Sequence, residues 1–324
     1  MTDSITAAHP AATAHGRGRL RTYARLGKLD VYDYYLGIFL ALAATLLPLG
    51  AFTAGKALVL ALFLVGEIAV LMAMVALDDV TGFRDGSDLA NYGPDNPLRS
   101  KARKPLVAGV LTVPQALRFA WTSAAAGAVL WAAAVAVAPH RPPWALVAAA
   151  ALFVVSLQYS YGLKISYHGF QEVFLVALGA VLVIVPYGLL TGEYSGFLMV
   201  QAVLFGFGPL MFGVYSNTND VAGDRAVGRP TVAALVSERG NAVFIAALSA
   251  TEFLIGALAS LTGAAPWWFV PLMLPATALR TRQYLTGFVR GDIMTARRTG
   301  FAVHRLSVVL MTVANLLVGW GATR

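Results

Sequence analysis

The sequence predicts an all-α integral membrane protein with about nine transmembrane helices in one bundle, and three observations carry that reading. The 324 residues are 58% hydrophobic and only 12% charged, more apolar surface than one soluble core can hide. The apolar residues come in separate runs, most of them close to the roughly 20 residues that a helix needs to cross a bilayer. The basic residues fall on alternate loops between those runs.

In chain order, residues 1–28 form a polar tail carrying Arg17, Arg19, Arg21, Arg25 and Lys28. It has no apolar core, so it does not read as a cleaved signal peptide, and it is expected to carry no chemistry. Residues 29–324 read as a single transmembrane domain. Apolar runs fall near Val31–Phe52, Ala57–Leu77, Leu117–Ala138, Trp144–Leu163, Val173–Leu190, Phe197–Tyr215, Ala242–Thr262, Trp267–Leu279 and Phe301–Gly321. The eighth is short and is expected to tilt or extend. With the N-terminus inside, 21 of the 24 Lys and Arg residues collect on the cytoplasmic side, leaving Lys56, Arg141 and Arg324 outside. That imbalance predicts a multi-pass protein, in a bacterial cell membrane, with its N-terminus in the cytoplasm. Trp131, Trp144, Trp267, Trp268 and Trp320 fall toward the opposite ends of their runs, as an outer aromatic belt requires. Pro186, Pro209 and the glycines 206, 208 and 213 are expected to bend or tightly pack the fifth and sixth runs.

Two stretches stand out from this apolar background. Asp78, Asp79, Asp85 and Asp88 close the second run and are followed by Arg99, Lys101, Arg103 and Lys104. Asn217, Asp220 and Asp224 close the sixth and are followed by Arg225 and Arg229. The stretches stand four runs apart, so the chain reads as two pseudo-repeated halves with a ninth helix appended. Repeats of this kind place their ligand at the interface, here a central cavity capped on the cytoplasmic side. The spacing i, i+3, i+7 puts Asn217, Asp220 and Asp224 in one file on a helix. Asp78 and Asp85 would share a face likewise, although Gly82 and Gly86 argue that this helix ends there. Stacked carboxylates hold hard cations, and magnesium is typically shared between one or two carboxylates and substrate phosphates. Facing clusters with bases beside them therefore suit a metal-bound diphosphate. Solvated helix caps are the plain alternative for any one pair. Against it, eight of the sixteen acids lie within residues 78–95 and 220–238.

These stretches resemble the two aspartate-rich motifs of the UbiA superfamily of intramembrane prenyltransferases. The second follows the pattern N-x-x-D-x-x-x-D-x-x-x-G-x-x-T-L-A at Asn217, Asp220, Asp224, Gly228, Thr231 and Ala233, with Val232 standing for the leucine, and the match is especially similar to the menaquinone branch. The first follows N-D-x-x-D-x-x-x-D only in part: Asp78 stands at the asparagine position and Asp79 at the first aspartate, but Gly82 and Gly86 stand where carboxylates are expected, and Asp85 and Asp88 are offered from shifted positions. Lys104-Pro105-Leu106 with Gly109 resembles R-P-L-x-x-G. The segment from Gln158-Tyr159-Ser160 through Leu163-Lys164 to Gly169 resembles a loop of the chlorophyll-synthase and naphthoate branches. The resemblance implies Mg2+ at Asp79, Asp220 and Asp224, assisted by Asp78, Asp85 and Asp88. It implies diphosphate contacts from Asn217, Lys104, Lys164 and Arg225. It also implies a prenyl diphosphate, a small aromatic or lipid acceptor, and a transfer from one to the other. Ionisation would leave an allylic cation in a dry chamber, for which Tyr159 and Tyr161 offer ring faces or, equally, interfacial anchors.

Glu67, eleven residues before Asp78 and nearly on its face, and Glu252 are intramembrane acids that suit either function or structure. The five histidines have no ligand spacing for zinc, and only His168 lies near a candidate loop. The absence of cysteine excludes disulfides and thiolate metal sites. The net charge of +8 is distributed as a topology signal, so nucleic acid is not expected as a partner. The bases between Arg280 and Arg305 read as topology determinants, with anionic-lipid contact second. Three functions stay open: a prenyltransferase, a terpene cyclase of the same superfamily that needs no acceptor, and a transporter. The transporter is disfavoured because the acids cluster at the mouth rather than near the midplane.

Overall fold

Inside hydrocarbon each backbone N–H and C=O must be satisfied within its own segment, so apolar runs of this kind fold as helices. A computed structural model describes residues 16–29, 31–47, 49–92 and 101–322. Among them are thirteen α-helices and no strand. They are α1 (Gly16–Leu26), α2 (Gly37–Leu46, entered through the 3₁₀ turn Tyr32–Leu36), α3 (Ala54–Arg84), α4 (Ser87–Asn91), α5 (Val113–Val137), α6 (Pro143–Gln158) and α7 (Gln171–Thr191). After these come α8 (Gly196–Asn219), α9 (Val221–Ala226), α10 (Val232–Leu235), α11 (Glu238–Leu261), α12 (Phe269–Tyr284) and α13 (Ile293–Ala322). Helices α3, α5, α7, α8, α11 and α13 are long and apolar enough to cross a membrane, and the segments 33–46 and 143–158 are shorter apolar helices. The eighth run extends past Leu279 to Tyr284 and then into a π turn, Leu285–Val289.

The most apolar windows of α8 and α11 are 72% and 11% buried respectively, so α8 is central and α11 peripheral. Glycine sets the closest approach. At Gly179 of α7 a methyl group would lie 2.6 Å from the Cα of Gly206 on α8, so the two backbones touch and no larger residue fits. Pro186 and Pro209 sit inside helices that continue past them. Polar pairs fasten the remaining elements. Arg305 of α13 pairs with Asp33 at 2.5 and 3.0 Å, and Asn315 donates to Gln201 at 2.7 Å.

Two expectations change. Trp131 is not in an outer belt: it is buried, stacked 5.2 Å from Phe63, and its indole N–H donates to the Phe63 carbonyl at 3.1 Å. Its amphipathic ring finds a backbone acceptor inside the α3–α5 contact, so it has no need of the interface. Arg280 is not a solvent-facing base but is 3% exposed and paired with Glu252 at 2.6 and 2.9 Å. The basic tail also has structure. Its α1 lies against α3 and α5, with Leu26 fully buried beside Leu77 and Ala120.

Each acidic stretch follows one local plan. A long helix, α3 or α8, ends at the carboxylates, and a short helix, α4 or α9, turns back over the mouth of the bundle. At Gly223 of α9 a side chain would overlap Asn91 of α4, so the two short helices lie directly against each other. Residues four runs apart in sequence are thereby brought to one place.

Candidate active site

That place is a cavity of about 750 Å3, deep enough to be floored by Met74, Leu175, Pro209 and Phe212. Asp78, Asp88, Lys104, Tyr159, Asn217, Asp220 and Asp224 all line it.

The second stretch keeps its file of ligands across a break. Asp220 has φ −102° and ends α8. The Asp224 N–H still donates to the Asp220 carbonyl at 3.0 Å, so α9 restarts in nearly the same phase. Asn217, Asp220 and Asp224 thus face one cavity although they do not belong to one helix. Asp224 is buried and its Oδ2 accepts the Thr231 hydroxyl at 3.0 Å. Burial lifts its carboxyl to about 6, against the pull of Arg229 and Thr231. Gly228 then takes φ +68° with open space where a Cβ would stand. The backbone angle, not crowding, requires glycine there. The resulting turn sends Arg229 back into the cavity, 3.9 Å from Asp78 and 5.3 Å from the centre of the Tyr167 ring. Arg225 goes the other way: it is exposed, and its Nε donates to the Ala234 carbonyl at 2.9 Å.

The first stretch is built differently. Helix α3 does not end at Gly82; it runs to Arg84, and the reversal comes at Gly86 with φ +85°. What Gly82 supplies is room, because a methyl group there would lie 2.8 Å from the Cγ of Asp88. The carboxylate of Asp88, delivered by α4, occupies the space that a side chain at position 82 would fill. The Lys104 ammonium joins it to α3, donating to Asp79 Oδ1 at 2.7 Å and to Asp88 Oδ2 at 2.8 Å. Lys28 stands 3.4 Å from Asp79 and 3.7 Å from Asp78. Burial works against the charge on Lys104, yet Asp79 and Asp88 together hold its pKa well above the ordinary lysine value. Burial pushes the Asp88 carboxyl up to about 6, with Lys104 opposing.

Besides Asp79, which is buried behind the Lys104 ammonium, and Arg225, two more expected contacts lie outside the cavity wall. Asp85 accepts the Ser87 N–H at 3.0 Å, the Ser87 hydroxyl at 2.8 Å and the Tyr167 hydroxyl, latching the first stretch to the α6–α7 loop. Lys164 is exposed, its ammonium 5.2 Å from the Tyr167 ring centre. The two tyrosines separate as well. Tyr159 lines the cavity, stacked 4.7 Å from Phe174, whereas Tyr161 packs edge-on to Trp121 away from it. Glu67 is fully buried with neither oxygen hydrogen-bonded and is not part of the wall. Glu252 is spent on Arg280, and His168 is exposed.

The wall also holds groups that the sequence reading did not place in the site: Arg21, Arg25 and Lys28 from the tail, Tyr34, and Arg297 and Arg298 from the start of α13. Arg21, Arg25 and Lys28 are spaced i, i+4, i+7, a helical stripe that was available as a signal.

Among the described residues, no three carboxylate or imidazole groups converge closely enough to enclose a metal by themselves. Magnesium does not require that, since it keeps waters and shares carboxylates with substrate phosphates. Asp220 and Asp224 with the Asn217 amide fit such an ion, whereas the facing oxygens of Asp79 and Asp88 are already bridged by Lys104.

A model of the UbiA prenyltransferase family matches residues 35–298. No curated protein is close enough in sequence to count as a match. Among solved structures, a UbiA homologue from Aeropyrum pernix K1 without ligand superposes with a TM-score of 0.63 at 16% identity, covering 87% of this chain and 97% of that one. A UbiA homologue from Archaeoglobus fulgidus bound to DMAPP and Mg2+ gives 0.59 at 13% identity, with 90% and 99% covered. A structure concerned with digeranylgeranylglyceryl phosphate synthase in membranes gives 0.59 at 13% identity, with 92% and 99% covered. At these identities the likeness is one of fold.

Proposed function

The chain belongs to the UbiA prenyltransferase family, a multi-pass integral membrane protein by its apolar helices, and from that premise we propose that it moves a prenyl group from a polyprenyl diphosphate to a small aromatic or quinone-precursor acceptor, with Mg2+. What supports the reading is the single cavity in which carboxylates, bases and apolar floor meet. DMAPP with Mg2+, as bound by the Archaeoglobus homologue, gives the chemical class of donor. The excess of bases at this end of the bundle supports a cytoplasmic mouth, with the N-terminus on the same side.

Asn217, Asp220 and Asp224 would hold the metal, which supplies positive charge to the diphosphate oxygens. Arg229 and Lys28 neutralise the same oxygens from the facing wall, and hydrogen bonds from guanidinium to phosphate fix their orientation. The allylic C–O bond then breaks with its electron pair on the diphosphate. Met74, Leu175, Phe212 and Phe301 keep water from the cation. Tyr159 presents a buried ring to it, held in place by the stack on Phe174. An acceptor carbon supplies the pair for the new C–C bond and afterwards loses its proton.

The test is Mg2+-dependent diphosphate release by the purified protein across prenyl diphosphates of several lengths, with and without aromatic acceptors. Release that requires an acceptor is the expected result. Release without one, with a terpene hydrocarbon or alcohol as product, would replace transfer by cyclisation. No release under any condition would sink both.

A further inference from the structure

At the first acidic stretch a base of the chain already sits between two carboxylates. The Lys104 ammonium is 2.7 Å from Asp79 Oδ1 and 2.8 Å from Asp88 Oδ2. A magnesium ion bridging those two oxygens from the same side would need about 2.1 Å to each, closer in than this nitrogen, and could not share that space with the ammonium. The surrounding charges are balanced: Asp78, Asp79 and Asp88 face Lys28, Lys104 and Arg229. Lys104 is 7% exposed and its backbone is fixed on both sides, its N–H donating to the Lys101 carbonyl and its own carbonyl accepting from Ala108, both at 2.9 Å. Pro105 follows directly. Moving the ammonium aside would leave Asp88 buried without a counter-charge and Asp79 with the more distant Lys28 alone, which is unfavourable. The arrangement also depends on Gly82, since only a residue without a side chain admits Asp88 there.

From this geometry we infer that the first acidic stretch is a metal-free half-site, in which Lys104, held by Asp79 and Asp88, is a built-in cation facing the diphosphate, and that the metal is loaded through the second stretch alone. An ammonium has three donors, and two are taken by the carboxylates. The third serves a phosphate oxygen from the cavity wall, which Lys104 lines. The inference rests on the prenyl-diphosphate reading of the cavity and assigns its two halves unequal parts.

The test counts ions. The full chain in detergent is titrated with Mn2+ in the presence of inorganic diphosphate, and free Mn2+ is followed by its paramagnetic resonance. One bound ion is expected, weakened at least about tenfold by Asp220→Asn or Asp224→Asn and less than about twofold by Asp79→Asn. Two ions, one of them lost in Asp79→Asn, would overturn the inference and leave prenyl transfer standing. A single ion governed by Asp79 rather than Asp220 would do the same. No ion at all would overturn the metal-dependent reading of the cavity, and this inference with it. In a second measurement, Lys104→Met is expected to weaken inorganic diphosphate at least about tenfold while one Mn2+ is still bound; unchanged diphosphate affinity would count against the built-in cation. If that variant does not fold, the ion count on the unaltered chain still decides.

Discussion

The ends of α3 and α8 are written alike, yet they are built differently. Asp79 and Asp88 are held together by Lys104, while Asp220 and Asp224 look into the cavity with Asn217. The difference arises from position, not from composition. Lys104 reaches the first pair from a buried turn twenty-five residues downstream of Asp79. The nearest base in sequence to the second pair, Arg225, is drawn outward by the Ala234 carbonyl. A carboxylate at a helix end is therefore a ligand or a salt-bridge partner according to which cation the tertiary fold delivers.

The contrast breaks most visibly at the end of α8. Asp220→Ala and Asp224→Ala should each lower turnover about a thousandfold, the loss of several kcal/mol of charge stabilisation, while the protein stays extractable and folded. Steady-state rates on those variants check it, and near-normal rates would move the metal elsewhere. At the end of α3 the expected cost is stability. Lys104→Met strands the buried Asp88 carboxylate and leaves Asp79 to Lys28 alone, and should destabilise by about 3 kcal/mol; adding Asp88→Asn should recover part of that. Thermal unfolding of the single and double variants decides it.

Arg229, which touches both halves, should show an intermediate effect. Its replacement by alanine should cost about a hundredfold in kcat/KM, with partial rescue by lysine, because a point charge keeps the attraction but not the two-pronged contact. Gly82→Asp should not raise the rate and should cost about 1–3 kcal/mol from the clash with Asp88. A faster enzyme would mean that the first stretch is a weakened metal site, not one held by Lys104. The smallest effect is one of pH. The Asp224 carboxyl is raised to about 6, so a proton competes with the cation below that value. Mn2+ affinity at the second stretch should fall as pH drops below 6, by up to about tenfold per unit, and hold steady above it.

Much of this was legible in the sequence. The apolar runs give the helices because hydrocarbon leaves the backbone no other partner. The motif Asn217, Asp220, Asp224, Gly228 identifies the second stretch because its residues are local and one helical period apart. Legibility failed where the partner is distant. Nothing local to Asp85 announces that Tyr167 will bind it, nor does anything near Trp131 announce the Phe63 carbonyl. Lys164 and Tyr161 carry the right chemistry in a loop of the right place, yet the turns at positive φ through Gly162 and Lys164 point them away from the cavity.

What the sequence determined by itself is the bundle, the two acidic helix ends and the membrane as solvent, all of which follow from composition and short-range period. Only the tertiary structure decided that Asp88 takes the room left at Gly82, that Lys104 closes over it, and that a basic tail helix forms part of the wall. Those outcomes are settled by contacts between segments far apart in the chain. At such contacts, the low dielectric of a buried site makes the identity of the nearest counter-charge the dominant energy.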